Sequence, residues 1–502
     1  MSEGSVHTER TGGTCVPDDQ VTDERGVGVP APRRAWGDRA FLGALCVTAL
    51  PVAVQSLLSS SRSVIDVLLV SRLGDEQVAA VGYGSRVVFV VMLATMGMAD
   101  GGAVITAQLW GARSPERVRR ATAVTTAVAV GISLVAAVAC QVWAHPLASL
   151  ATDDPRVVDL GAQYVRSVIW MIVPYAVLCS FAASLRCVGH ARIAMSCTTM
   201  GLVLHLVLAW ALVLGNAGMP RCGVRGAGYA TTLSTYLECF LLVAYLYGKR
   251  HAVAFGPADL LRGVRDGLVR RIREVGVPVA MSSTSWALGI LVYNILVGHA
   301  GTTELAVLSM ISPVESAAIA VFIGVSTASG VMLGNSMGAT GADRASGTER
   351  TWSLARALLF WAGATTLAVC LCLLSSFWWI GALYGDVAPG TLEVARDTTL
   401  VLAVVFAFRA MNITMMNGML RAGGDTTFVL GADLVSQWAV AVPLTYLTAL
   451  VLELPFPLVF LAVNAEEIVK FWISGRRLLR RRWIRNLVAD PAPDTPHPLE
   501  VP

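Results

Sequence analysis

Charged residues are scarce in this sequence, and lysine is nearly missing. Only 14% of the 502 residues are charged, whereas an ordinary soluble domain is nearer a quarter charged. Arginine carries almost all of the positive charge, because the only lysines are Lys249 and Lys470. A formal net charge of +4 over this length is not a nucleic-acid signal, so the sequence predicts no nucleic-acid partner.

Motifs for catalysis and metal binding are also missing. The sequence has no H-E-x-x-H zinc motif, no nucleotide-binding glycine loop and no nucleophile elbow. The ten cysteines show no paired metal spacing, and most lie in apolar runs, where they read as small apolar helix residues. We therefore predict that the protein is not an enzyme and holds no resident cofactor or metal.

Long apolar runs fill the spaces between the charges. Hydrophobic residues make up 55% of the chain, and the mean hydropathy is +0.63. These runs match the roughly 20 residues that a helix needs to cross a bilayer and are too long for barrel strands. We predict an all-α polytopic membrane protein with twelve transmembrane helices, near 39–70, 77–109, 118–145, 157–186, 190–215, 223–248, 274–298, 303–338, 352–379, 392–420, 425–450 and 454–478.

The distribution of arginine predicts the orientation of these helices. Cationic residues collect in the even-numbered connections and after the last helix, and loops rich in lysine and arginine stay in the cytoplasm. We expect a multi-pass plasma-membrane protein with both termini cytoplasmic. The polar stretches 1–37 and 487–502 predict disordered cytoplasmic tails, and 1–37 lacks the apolar core of a signal peptide.

The longest inner connection, 251–273, predicts an amphipathic linker on the inner leaflet. An ordinary solvated linker is the alternative. The connection divides the chain into predicted six-helix bundles at 38–250 and 274–486. Within it, the segment 258–273 places apolar residues at helical spacing with arginines between them: Leu261, Val264, Leu268 and Ile272.

The two predicted bundles repeat each other in sequence. Pro51 corresponds to Pro278, 227 residues later, and both should kink their helices. The same shift pairs Gly74 with Gly301, Ala79 with Ala306, Gly97 with Gly324, and Gln108, Gly111 and Ala112 with Asn335, Gly338 and Ala339. Further on, Leu185, Arg186 and Gly189 match Leu420, Arg421 and Gly424 at a shift of 235. Both shifts join helices of like orientation, which predicts two pseudo-symmetric bundles suited to alternating access.

Several of these segments resemble the multidrug and toxic compound extrusion (MATE) transporters of bacteria. They are the stretch from Pro51 through Asp66, Leu73-Gly74 and Ala79-Ala80 to Gln108-Leu109-Trp110-Gly111-Ala112; Gly226 to Thr231; Leu420 to Asp425; and Glu466 to Lys470 with Trp483 to Leu487. The resemblance covers roughly 39–487. It implies a V-shaped exporter of twelve helices that is driven by protons or sodium.

The resemblance implies a coupling site in the first bundle. Asp66 aligns with the family's first-helix acid, and a carboxylate fixed by packing is the alternative. Where some members have an acid and an asparagine in the fifth helix, this sequence has Ala209 and His205; His205 could relay protons or simply pack. Arg62 lies on the same helix face as Asp66. We hypothesise that Arg62 pairs with Asp66 in one state and with substrate or another acid in another.

The coupling ion is predicted to be the proton. Sodium-dependent members of the family often have acids in helices seven and ten, and the aligned positions here are Trp286 and Ala410. Sodium wants several oxygen ligands, by analogy with other hard cations. A sodium site in the second bundle is therefore not expected.

Polar residues at membrane depth are the candidate substrate contacts. Glu315 could bind a cationic drug or pair with Arg409. Buried arginines weaken the expectation of purely cationic cargo and leave zwitterionic or anionic amphiphiles open. Asp100 and Asp433 suggest a gate or simple hydration, and Glu238 and Glu466 an interfacial position. The full set of predicted substrate-binding residues is Glu315, Arg409, Arg86, Asn294, Asn412 and Thr231.

Three classes of function follow from the sequence. The first is a monomeric, cation-coupled antiporter that exports drug-like or secondary-metabolite small molecules, amphiphilic in character, by alternating access. The second is a lipid-linked or metabolite flippase with a lateral opening and a more basic cavity. The third, a membrane receptor or scaffold, is less compatible with a repeated bundle that carries charges at depth.

Overall fold

The computed structural model describes residues 39–149, 154–300, 302–339, 344–383 and 389–488, and the predicted tail over 1–37 lies outside them. All regular structure in this described part is helical. The α-helices are α1 (Arg39–Val70), α2 (Asp75–Gly111), α3 (Pro115–Val142), α4 (Ala144–Ser149), α5 (Pro155–Val168), α6 (Ile172–Cys187), α7 (Ala191–Leu214), α8 (Val224–Gly248), α9 (Pro257–Arg265), α10 (Leu268–Ala300), α11 (Thr302–Gly338), α12 (Arg344–Leu383), α13 (Pro389–Asn412), α14 (Thr426–Leu434), α15 (Val442–Tyr446), α16 (Phe456–Val463) and α17 (Ala465–Leu479).

Twelve spans follow from these helices. Eleven helical stretches in the described part are long and apolar enough to cross a bilayer. The twelfth span consists of α16 and α17, which are separated at Asn464, where the side-chain amide donates to the Phe460 carbonyl. The predicted all-helical, twelve-span architecture is confirmed. Segments of π-helix, which often mark functional sites, lie in the tenth and eleventh spans: Ile413–Leu420, Val435–Ala441 and Leu447–Val451.

The linker between the halves differs from the single amphipathic helix predicted over 258–273. Gly267 has φ 71°, a left-handed conformation that glycine adopts readily, and it separates α9 from α10. Leu268 and Ile272 are buried and belong to the start of the seventh span, whereas Leu261 and Val264 on α9 are exposed. Only α9 therefore retains the character of a surface helix.

The two halves meet through glycines that obey the sequence repeat. A Cβ atom on Gly111 would lie 2.0 Å from the Asn335 carbonyl oxygen, and one on Gly338 would collide with the Gln108 carbonyl oxygen. Gly338 and Asn335 are the repeat equivalents of Gly111 and Gln108, so the two contacts are related by an approximate two-fold axis. We call this contact between the ends of α2 and α11 the inner seal. It confirms that the halves are parallel and pseudo-symmetric.

The hydrophobic cores show that the halves join at one end only. Two large buried clusters, one centred on Val165 and Ile172 and one on Phe322 and Phe406, each contain residues of a single half. The two clusters beside the inner seal are mixed, because Phe41 packs with the second half and Ile272 with the first. The bundles are therefore packed together around the inner seal and separate at the opposite end.

A segment beyond the twelfth span reinforces the inner seal. The Gln108 side chain donates to the carbonyl groups of Arg485 (3.1 Å) and Ala422 (2.9 Å), and it accepts from the Leu487 backbone N–H at 2.7 Å. Trp483 is fully buried and Val488 is 3% exposed. The predicted loose tail from 487 is therefore wrong at its start, because these residues bury apolar surface between the halves. The remainder, 489–502, lies outside the described residues.

Candidate functional site

A buried carboxylate and a buried imidazole face each other in the first half. Asp66 on α1 is 8% exposed and His205 on α7 is fully buried. Asp66 Oδ1 lies 3.2 Å from His205 Nε2, and the Thr231 hydroxyl on α8 lies 3.5 Å from Asp66 Oδ2. The distance to the imidazole is short but the alignment is poor, so neither ring nitrogen nor Asp66 Oδ1 has a hydrogen-bond partner in the described part. We call these three residues the first-half triad.

Arg62 pairs with an acid other than Asp66, which is one of the two arrangements in the sequence-based hypothesis. Its guanidinium lies 2.5 Å from the Glu238 carboxylate on α8. The pair sits against Gly201, where a Cβ atom would lie 2.4 Å from Glu238 and 2.8 Å from Arg62. Glu238 is 5% exposed and is therefore buried within the first half. In this state Arg62 neutralises Glu238 and leaves Asp66 without a cation.

A larger ionic cluster occupies the second half. Arg409 on α13 donates to Glu315 on α11, and its Nε lies 3.7 Å from the Glu467 carboxylate on α17. The Asn412 amide also donates to Glu467, at 2.8 Å. The predicted pairing of Glu315 with Arg409 is thus the arrangement observed, and Glu467 is an additional acid that sequence reasoning did not select.

Lys470 extends this cluster along α17. Its amino group lies 3.3 Å from Glu466 and 3.5 Å from Asp433, and the Tyr293 hydroxyl lies 3.3 Å from Glu466. Glu466 is 4% exposed and is therefore buried within this cluster. Four carboxylates therefore share two directly paired cations in the second-half cluster, which comprises Glu315, Arg409, Asp433, Glu466, Glu467 and Lys470.

A cavity of about 280 Å³ lies between the two halves. Its apolar lining includes Leu93, Met96, Trp286 and Ile323, and Trp286 stands 6.5 Å from the Phe89 ring across the interface. Its charged lining comes from both halves: Asp100 and Arg186 from the first, and Arg409, Arg421, Asp433, Glu467 and Lys470 from the second. The cavity can therefore hold an apolar body and offer charge of either sign to a head group.

The predicted site residues fall into three places. Asp66, His205 and Thr231 form the triad, so Thr231 lies beside Asp66 and not among the cavity-lining residues. Arg409 and Asn412 line the cavity, with Glu315 bonded behind them. Arg86 is exposed above the Tyr83 ring, and Asn294 donates to the Ile290 carbonyl of its own helix; neither is among the lining residues.

Charged pairs also occupy the inner end of the cavity. Arg186 donates to Asp100 at 2.9 Å. Arg421 donates to the Ser282 hydroxyl at 2.9 Å, and that hydroxyl bonds to Asp433. Asp100 and Asp433 are therefore both engaged with protein groups where they line the cavity.

Helical spacing carried a signal that sequence reasoning did not use. Glu466 and Lys470 are four residues apart and share a helix face, and Glu467 is the adjacent acid in the same turn. Acids and a lysine four apart within a buried span indicate an ion cluster. The positions aligned with the family's second-half acids do not contribute: Trp286 lines the cavity as an aromatic wall, and Ala410 is fully buried in the apolar core.

The fold and cavity define a polytopic membrane protein built from two parallel six-helix halves around a central polar chamber. The MatE family model matches residues 51–211 and 278–447, once in each half and together more than half of the chain. The two matches begin at Pro51 and Pro278, the pair that opens the sequence repeat. The chain therefore belongs to the MatE family and is a MATE family transporter.

Individual relatives agree with this assignment. The chain is 28% identical over 411 residues to the probable multidrug resistance protein NorM of Bradyrhizobium diazoefficiens, covering 80% of this chain and 85% of that protein. A crystal structure of MATE in complex with MaL6 superposes with a TM-score of 0.76 at 19% identity, covering 91% of this chain and 99% of that one. The eukaryotic MATE transporter AtDTX14 gives the same TM-score at 17% identity, over 89% and 97% of the two chains.

Proposed function

We propose that this transporter exports amphiphilic small molecules, drug-like compounds or secondary metabolites, in exchange for protons that bind at Asp66 and His205. The relative named as a probable multidrug resistance protein supports such a cargo. The observation that carries the proposal is that the Asp66 carboxylate and the His205 ring lie 3.2 Å apart while neither Asp66 Oδ1 nor the ring nitrogens have a hydrogen-bond partner among the described residues. Buried polar groups without hydrogen bonds are uncommon and call for an explanation.

Charge balance supports the proton as the coupling ion. Arg62 and Glu238 cancel each other, so with a neutral imidazole Asp66 leaves one uncompensated negative charge in the first half. Such a charge is costly away from water, and one proton shared between Asp66 and His205 removes it. Proton binding therefore changes the stability of the packed triad, which is how a coupling ion can bias one conformation over another.

The arginine distribution supports an orientation in which the inner seal faces the cytoplasm. The seal lies at the connections that hold Arg113, Arg117 and Arg344, and both termini then lie inside as well. In that orientation the described state is open to the outside, and cargo leaves from it. Export then requires the bundles 38–250 and 274–486 to rock about the cavity. Each chain contains a complete cavity, which supports a monomer.

Proteoliposome efflux tests the proposal. Wild-type protein is reconstituted into liposomes, and the liposomes are loaded with cationic, zwitterionic or anionic dyes. A proton gradient or a sodium gradient is then imposed across the membrane. We expect efflux to follow the proton gradient only. Asp66→Asn should abolish gradient-driven efflux, and His205→Asn should weaken it by about a hundredfold or more, the size of a positioned proton-transfer effect.

Asp159→Asn is the matched control, because Asp159 is an exposed carboxylate in the same half and lies 3.5 Å from His145. It should transport at the wild-type rate. Undiminished gradient-driven efflux by Asp66→Asn, at equal reconstitution, would refute the coupling role.

A further inference from the structure

Two arginines at equivalent positions of the repeat have different partners. Arg186 lies 2.9 Å from the Asp100 carboxylate. Arg421 is its counterpart at the shift of 235, and no carboxylate of the described residues lies within 4 Å of it. Its guanidinium donates to the Ser282 hydroxyl, and its buried Nε has no hydrogen-bond partner in the described part. The repeat has kept the cation and lost its counter-charge in the second half.

A single residue explains the difference. At the shift of 227, Asp100 corresponds to Thr327 on α11, and both Thr327 and Arg421 line the cavity. The two backbones that carry them touch one turn away, where a Cβ atom on Gly330 would lie 3.0 Å from the Gly418 carbonyl oxygen. The second half therefore places a hydroxyl where the first half places the carboxylate that neutralises its arginine.

The other charges that line the cavity are already matched. Asp100 is held by Arg186, Glu467 lies 3.7 Å from Arg409, and Asp433 lies 3.5 Å from Lys470. Every lining carboxylate has a protein cation, whereas Arg421 is linked to Asp433 only through Ser282. A guanidinium away from water needs an anion, and its planar fork fits a carboxylate or phosphate.

We propose that Arg421 is the anion-binding group of the transport cavity, so that the cargo carries a carboxylate, phosphate or sulfonate on an apolar body. This inference deepens the proposed export function and rests on it. The apolar wall formed by Leu93, Met96, Trp286 and Ile323 receives the body. When Glu315 and Glu466 are included, five carboxylates stand against four cations around the cavity, so a zwitterion whose cationic end faces these carboxylates fits best.

Binding to the purified protein tests the inference without any gradient. Three probes share one fluorophore: dansyl-β-alanine has a carboxylate, dansyl-ethylenediamine an ammonium group, and Nε-dansyl-lysine both. We expect dissociation constants from fluorescence titration to rank the zwitterion tightest, then the carboxylate, then the ammonium probe. Tightest binding of the ammonium probe would overturn the inference.

Variants identify the residue responsible. Arg421→Gln should weaken binding of the zwitterion and the carboxylate by about tenfold or more, since hydrogen bonds to charged groups have that worth. Binding of the ammonium probe should not weaken, and Arg421→Lys should recover part of the loss. An unchanged affinity for the carboxylate in Arg421→Gln would overturn the inference.

The repeat supplies a second test that does not remove Arg421. Thr327→Asp recreates in the second half the pair that Asp100 and Arg186 form in the first, and it should reproduce the loss seen with Arg421→Gln. Asp100→Thr is the mirror change; it frees Arg186 and should tighten carboxylate binding. Opposite signs for these two variants support the inference, and equal signs contradict it.

Two further experiments are needed. One distinguishes a lipid head group from a soluble anion, and the other distinguishes failure of the anion site from failure of the proposed export function. Transbilayer movement of fluorescent phosphatidylglycerol in proteoliposomes tests a lipid head group, and efflux of the dansyl probes tests a soluble amphiphile. Asp66→Asn should lose gradient-driven efflux and keep the binding order of the three probes. If wild-type protein shows proton-driven efflux but binds the three probes with equal affinity, the anion site is rejected and the proposed export function stands.

Discussion

The two halves share a backbone plan and differ in how they hold buried charge. In the first half, Asp66 faces a histidine and has no cation within 4 Å among the described residues. In the second half, the repeat equivalent of Asp66 is Tyr293, which lies against Glu466 in a cluster of linked ion pairs. The first half thus isolates one titratable contact, whereas the second distributes charge over a network that faces the cavity. The repeat preserves the scaffold in both halves, whereas the polar side chains on it differ.

The largest expected effect concerns the buried ion pair between Arg62 and Glu238 in the first half. Arg62→Gln leaves Glu238 buried without a cation and should lower the free energy of unfolding by about 3–5 kcal/mol. The double variant Arg62→Gln/Glu238→Gln should recover most of this loss, because no uncompensated charge remains. Denaturant unfolding in detergent measures both variants. Equal destabilisation in the single and double variants would mean that packing and not charge explains the effect.

The next effect tests the symmetry of the inner seal. Gly111→Val and Gly338→Val each place atoms against backbone of the other half, and each should cost about 1–3 kcal/mol, as overpacking does. The two single variants should lose equal free energy of unfolding. The double variant Gly111→Val/Gly338→Val should lose less than the sum of the two, because both changes act on one contact.

Gly131→Val is the matched control, since a Cβ atom there would meet nothing within 4 Å. Unfolding of all four variants in one detergent makes the comparison. A much larger loss for one glycine than for the other would show that the seal is not governed by the two-fold repeat.

The smallest effect lies at the turns after the two repeat arginines. His190 in the first-half turn corresponds to Asp425 in the second-half turn. His190 contacts His251, whereas Asp425 accepts a hydrogen bond from Arg477 at 2.6 Å. Burial, and then the nearby His190, lower the pKa of His251 to about 4. Because the unfolded chain binds this proton more readily than the folded protein, stability should fall as the pH drops from about 6.5 to about 4.

Since His251 is only partly buried, this fall in pH should lower the free energy of unfolding by less than about 2 kcal/mol. Unfolding free energies at pH 7 and pH 5 should differ in wild-type protein, and the difference should shrink in His251→Asn. A pH dependence that is unchanged by His251→Asn would assign it to other groups.

The helical architecture could be predicted from the sequence more accurately than the ion pairs that the buried charged side chains form. Spans, repeat and parallel halves follow from local hydropathy and fixed spacing, which are properties of adjacent residues. The partner of Arg62 lies 176 residues away on another span, so local spacing favoured Asp66 instead. Glu466 falls near the end of an apolar run and resembled an interfacial acid. Its burial depends on how α17 packs against α13 and α14, which no local pattern contains.

The segment after the twelfth span also sets an order of events during synthesis. The backbone groups that bond to Gln108, from Arg485 to Leu487, leave the ribosome after every membrane helix has been made. Until then the buried amide of Gln108 lacks those partners, and the fully buried Trp483 cannot fill its place. A nascent chain whose helices are already inserted therefore cannot complete the contacts of the inner seal until this segment has been made. A translation product that ends before Trp483 would lack these contacts between the halves and should be less stable than the longer chain.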